Sequence, residues 1–197
     1  MLAAAVEDLT EDAVLAAVLG TGAAQVVVLP NHTDAVPLTA RAAERAREDN
    51  RDVVVVPTRS AVQGMAAIAV ADPARRFGDD TVAMAEAAAA TRWAEVTVAD
   101  QEALTSAGRC QPGDALGSAE GDVVVLGADV AAVARDLLDR LLSAGGELVT
   151  LVVGPDVGGR SALGDAVCAH LSAVHPTVEV DRHPGGPGAL PLLIGVE

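Results

Sequence analysis

The chain has no tyrosine and no lysine, and its 197 residues include one tryptophan, Trp93, and one phenylalanine, Phe77. So few aromatic faces leave no platform on which single-stranded nucleic acid could stack. Thirteen arginines against 28 acidic residues give a formal charge of −15, which repels a phosphate backbone. Nucleic-acid binding is disfavoured on both counts. Cysteine is scarce too. Cys110 and Cys168 lie far apart, with no CxxC and no His/Cys pair at ligand spacing, so no structural metal site is expected. Cys168, within GDAVCAHL, reads as a buried inert thiol. No apolar run approaches the ~20 residues that span a bilayer. The opening MLAAAVEDLTEDAV carries acids where a secretory leader carries bases. A cytoplasmic protein without membrane insertion is expected.

What is present is alanine, valine and leucine. Apolar residues make up 51% of the chain, enough for a core, and the length fits one domain over residues 1–197. Two stretches echo each other: VVVLPNHTDAV at 26–36 and VVVVPTRSAVQ at 53–63. Each is a run of apolar, mostly β-branched residues ended by proline, followed by small polar residues that open an alanine-rich segment. Strands 25–29 and 53–56 are continuously apolar, the pattern of strands covered on both faces. Helices at about 35–48 and after Ser60 follow them, giving a βαβ unit with parallel strands. The second helix is expected to place Val62, Met65, Ile68 and Ala69 on one face.

Further along, Asp79-Asp80-Thr81 caps an alanine-rich helix. WAEVTVAD, 93–100, alternates with period two, and glycine-rich turns after it mark an antiparallel meander, so residues of about 93–126 form an antiparallel subregion. Asp129 caps the clearest helix, whose Val130, Val133, Leu137, Leu138 and Leu141 share a stripe. A third buried strand, 147–153, ends in the turn Gly154-Pro155-Asp156, and a helix over 159–173 follows. Segments 178–183 and 190–197 read as two closing strands bridged as a hairpin by PGGPG. The expected fold class is α/β, a mainly parallel sheet flanked by helices, containing strands 25–29, 53–56 and 147–153.

Loops at the carboxyl ends of parallel strands are where open α/β sheets bind ligands. Pro30-Asn31-His32-Thr33 is one such loop; Asn31 either bonds a ligand or shapes the turn, and His32 titrates near neutrality. Pro57-Thr58-Arg59-Ser60, with Gln63-Gly64, is the other; it could receive an anion on free helix amides with Arg59 as counter-charge, or simply cap a helix. It lacks the glycines and lysine of a P-loop. His170 and His175 read as surface residues. No catalytic constellation stands out.

Three motifs in order carry a resemblance across nearly the whole chain. Leu29-Pro30-Asn31 is the first, with His32 where a second Asn is usual. Val56-Pro57-Thr58 with Gln63-Gly64, Ala66 and Ala67 is the second. His183, Gly185, Gly186, Pro191, Ile194, Val196 and Glu197 form the third, with Pro187 replacing the usual Gln and Leu190 the usual Tyr. Together they resemble the C-terminal domain of the bacterial fatty-acid kinase large subunit, the dihydroxyacetone-kinase-like (DAK2) family. The resemblance implies a DegV-like fold and a non-catalytic domain belonging to a larger chain. ATP and magnesium would be held by that chain's kinase domain, which has no counterpart in these residues. It also implies docking of a separate DegV-like fatty-acid-binding protein, whose fatty acid the kinase phosphorylates, in a lipid-metabolism pathway. Docking is expected through Asn31, His32, Thr58, Arg59 and Gln63 of the two sheet-end loops, with His183, Gly185 and Gly186, of which His183 joins them only through the resemblance. The rival expectation is a small-molecule or anion-binding α/β enzyme with its site at the sheet's carboxyl edge.

Overall fold

The computed structural model describes residues 9–155, 160–186 and 188–197. Asp156 of the expected turn and Pro187 of the closing loop lie outside the described residues. Where a single domain is expected, the chain divides into two compact units, Met1–Ala90 and Thr91–Glu197.

In the first unit Thr10 caps α1 (Glu11–Gly20), its side chain accepting the Ala13 amide at 3.2 Å. Strand β1 (Gln25–Val28), helix α2 (Ala35–Glu48) and strand β2 (Asp52–Val55) follow, and the two strands pair in parallel, Val26 opposite Val53 and Val28 opposite Val55. Their apolar residues divide by the pleat. Val26, Val28, Val53 and Val55 pack with Val14 and Val18 of α1 and Ala42, Ala43 and Ala46 of α2. Val27, Leu29 and Val56 turn the other way, onto Ala67 of α3 (Ala61–Ala69) and Met84 and Ala88 of α4 (Phe77–Ala90). That double coverage is why these strands run apolar without alternation. Helix α3 buries Val62, Gln63, Gly64, Ala66 and Ala67, whereas Ile68 is 49% exposed, so its inner face is rotated from the expected one. The close approach of a small-residue helix selects Gly64, Ala66 and Ala67 over the larger Ile68.

The second unit carries the main sheet, built from β3 (Arg92–Val98), β6 (Ala115–Ala119), β7 (Asp122–Gly127), β8 (Leu148–Val153), β9 (Glu179–Pro184) and β10 (Leu192–Val196), in the order β7-β6-β3-β10-β8-β9. A short hairpin arm, β4 (Ala103–Thr105) with β5 (Gly108–Cys110), extends from the meander. The antiparallel subregion appears as expected, β3 with β6 and β6 with β7. The rest corrects the expectation of a mainly parallel sheet. Among the described residues, β8 pairs in the six-stranded sheet rather than with β1 and β2, and β8 with β9 is that sheet's one parallel pair. β9 and β10 do not form a hairpin, because β8 lies between them and β10 runs antiparallel to both β3 and β8. The terminal strand thus fills the middle of the sheet, with Leu192, Ile194 and Val196 fully buried. A central antiparallel strand is as apolar as a parallel one, so composition does not separate the two.

Helices α5 (Val130–Leu142) and α6 (Arg160–Val174) supply the core of this unit. The Asp129 carboxylate accepts the Ala132 amide at 2.6 Å, the cap read from the sequence. Leu137 and Leu138 of α5 and Val167 and Leu171 of α6 are fully buried with Val149, Leu151 and Val96 of the sheet. No helix among the described residues is long and apolar enough to cross a membrane.

Candidate functional site

Because β1 and β2 are parallel neighbours, the loops that follow them leave the same end of the sheet. The ladder continues one step, Val56 N–H donating to the Val28 carbonyl at 3.0 Å, before Pro57 ends it. Asn31 then adopts φ 56°, a left-handed turn that asparagine tolerates better than other non-glycine residues. Its amide donates to Thr58 Oγ1 at 3.0 Å, tying the first loop to the second. Thr58 is fully buried, so it supports Asn31 from within and presents nothing outward. On the second loop the Arg59 amide donates to Gln63 Oε1 at 2.8 Å, and Gln63 is itself buried. A glutamine on the first turn reaching back to an amide ahead of the helix is half of a capping box, shifted by one residue.

Gly64 completes the arrangement. A β-carbon there would fall onto the Asn31 side-chain amide, with Cγ at 2.8 Å and Nδ2 at 2.9 Å. Glycine at 64 thus leaves room for the side chain of the turn residue on the other loop. His32 is exposed, and its Nδ1 accepts the Asp34 amide at 3.2 Å, which places its ring proton on Nε2 and shapes the entry to α2. Arg59 is exposed on the second loop, as Asn31 and His32 are on the first. Ser60 occupies the N-cap of α3 in extended geometry, but its hydroxyl makes no cap bond and is buried without a partner among the described residues.

The structure therefore gathers Asn31, His32, Thr58, Arg59 and Gln63 at one sheet end, with Thr58 and Gln63 inside and the other three outside. His183, Gly185 and Gly186 belong to the second unit, at and after the end of β9. His183 is half-buried and its Nε2 bonds Asp181 Oδ2 at 2.9 Å. Gly185 donates its N–H to the Val153 carbonyl at 2.6 Å, and a β-carbon there would meet Ala189 Cβ at 2.8 Å and that carbonyl at 3.0 Å. Gly186 has open space around it. The first glycine of the pair is a packing requirement; the second is not.

One grouping escapes a reading of the sequence. His170 and His175, expected as separate surface residues, are half-buried and converge on Asp139: both Nε2 atoms bond the same oxygen, Oδ1, at 2.8 and 2.9 Å. Burial pushes the Asp139 carboxyl up, but the bonds from His170 and His175 outweigh it and hold the group below the usual carboxylate range. His170 and His175 are five residues apart, a spacing that does not share a helical face. They meet at the end of α6, His175 being the residue after Val174, with its N–H still bonded to the Leu171 carbonyl. Cys168 is half-buried rather than buried, while Cys110 is 1% exposed with its thiol 3.4 Å from the Ala103 carbonyl.

Known proteins share this architecture. The chain is similar to an uncharacterized protein of Staphylococcus haemolyticus, 26% identical over 171 residues, and to one of Staphylococcus aureus, 23% identical over 171 residues. Each match covers 87% of this chain but 30% of the relative, so the chain spans less than a third of the length of these relatives. In fold it is similar to the fatty acid kinase (Fak) B3 protein of Streptococcus pneumoniae loaded with linoleic acid. The TM-score is 0.69 at 12% identity, over 96% of this chain and 76% of that one. It is likewise similar to a DegV family protein of Eubacterium eligens loaded with heptadecanoic acid, with TM-score 0.63 at 14% identity over 95% and 77%. The α/β fold is thus that of the DegV proteins. The model for the FakA-like C-terminal family of fatty acid kinase matches residues 6–197, and the chain belongs to that family.

Proposed function

We propose that this domain docks a DegV-like fatty-acid-binding protein, so that the kinase domain of its own parent chain can phosphorylate the bound acid. The ATP and magnesium of that reaction belong to the kinase domain, and this domain contributes no catalytic group. The observation that carries the reading is the internal pairing at the sheet end. Thr58 and Gln63 are already bonded to loop amides, and the Asn31 side chain fills the space beside Gly64. Thr58 Oγ1 and Gln63 Oε1 are thus engaged within the loops, while His32 and Arg59 stand out in solvent, as residues of a protein-contact surface do. Membership in the FakA-like family supplies the partner class, and the Fak B3 protein, which is loaded with linoleic acid, exemplifies it.

One observation favours a second reading. The partnerless buried hydroxyl of Ser60, at the start of α3, is the kind of group an anion would satisfy. In that case the sheet end is a small-molecule or anion site. Calorimetric titration separates the two. A purified DegV-family carrier, loaded with fatty acid, should bind this chain, and Arg59→Ala should weaken it by at least ~1 kcal/mol, about fivefold. Arg76→Ala, another exposed arginine of the same unit, should not. No carrier binding, together with uptake of phosphate or a short carboxylate that Ser60→Ala abolishes, would replace docking by the second reading.

A further inference from the structure

We infer that Asp139, His170 and His175 form a site for one divalent transition-metal ion of the zinc type. Their ligand atoms, one carboxylate oxygen and two imidazole nitrogens, all lie within 4.8 Å of one another. Asp139 comes from α5, His170 from near the end of α6 and His175 from the residue just past it, so the ligands are fixed by two packed helices. The backbone holds His175 in place, its N–H donating to the Leu171 carbonyl at 2.8 Å.

The chemistry of the set selects the ion. Two imidazoles and one carboxylate suit zinc, cobalt or nickel; magnesium and calcium prefer all-oxygen shells. A tetrahedral ion with bonds of ~2.0–2.1 Å holds its ligands about 3.3–3.4 Å apart. Here the two nitrogens lie 2.8 and 2.9 Å from the carboxylate oxygen, so entry of an ion requires an opening of roughly half an ångström. Side-chain rotation covers that, because Asp139 is 44% exposed and the imidazoles 17% and 24%. Without an ion each Nε2–H donates to Asp139. To ligate an ion each imidazole gives up its Nε2 proton and presents that lone pair instead. Three protein ligands leave a further position to solvent, and the net charge of −15 draws cations towards the chain. The bound ion would clamp the end of α6 to α5.

The test uses the full chain stripped with a chelator and then titrated with zinc chloride by calorimetry. One ion per chain is expected, with affinity lowered by at least about tenfold in His170→Gln and in His175→Gln. Cys168→Ser and His32→Gln should bind as the wild type does. Ring resonances of the wild-type histidines give a readout that does not depend on how the variants fold. Zinc should shift His170 and His175 and leave His32 and His183 in place. Absence of saturable uptake, or a shift confined to His32 or His183, would overturn the assignment.

Discussion

The side-chain amide of Asn31 occupies the space that a β-carbon of residue 64 would take, although the two residues follow different strands. Gly64→Ala must therefore push Asn31 aside, and the exposed end of that side chain can yield. The expected cost is ~1–2 kcal/mol, at the lower end of overpacking. In an Asn31→Gly background, where those side-chain atoms are gone and the left-handed turn is kept, the same substitution should cost less. Chemical denaturation of the four members of this double-mutant cycle measures the coupling. Additive effects would mean that the two loops do not constrain each other.

Arg92 reaches from β3 to the carbonyl of Leu141 in the last turn of α5 and to that of Gly145 in the loop after it. A guanidinium there satisfies carbonyls that have no partner in the helix and complements its negative pole. Arg92→Met should destabilise the chain by about 1–3 kcal/mol, the cost of leaving such groups unmet. Thermal unfolding beside Arg109→Met, whose partner Glu102 is exposed and 2.6 Å away, checks this, and the second change should be close to neutral.

Leu137, fully buried between α5 and the sheet, is the simplest probe of the second unit's core. Leu137→Ala should cost ~2–5 kcal/mol by transfer and cavity together. A denaturation midpoint unchanged by it would contradict the packing described.

Glu11 of α1 bonds Arg45 and Arg41 of α2, each at 2.9 Å. The Arg45 guanidinium first, and Arg41 after it, hold the Glu11 carboxyl below the usual glutamate value. Because the folded value is the lower one, the pair's contribution is present above the unfolded pKa and is lost as pH falls through the folded one. A carboxyl NMR titration should show Glu11 with a midpoint below the ordinary ~4.3, rising in Arg45→Met. A midpoint indifferent to Arg45 would rule out the ion pair.

The elements that were legible in the sequence are those set by local pattern. Val26 to Leu29 and Val53 to Val56 are apolar throughout because both faces are covered, and Asp129 marks its helix because a cap acts within three residues. Strand order is not local. Nothing in LPLLIGVE says that it enters between β3 and β8, since the partners of Ile194, namely Ala94 and Leu151, are 100 and 43 residues away. The same distance hides the burial of Thr58, whose partner Asn31 lies 27 residues back, and the meeting of His170 and His175 with Asp139. At the sheet end, sequence pointed to these two loops but did not separate the residues that build them, Thr58, Gln63 and Gly64, from those that face out.

The central claim is that the outward residues of these two loops receive a fatty-acid carrier. Amide hydrogen exchange of the chain, alone and with a saturating DegV-family fatty-acid-binding protein, tests it most directly. Docking at this face predicts slowed exchange at 31–34 and 58–60 and no change in the amides of helix α5. Protection confined to other segments, or no change on adding the carrier, would contradict it.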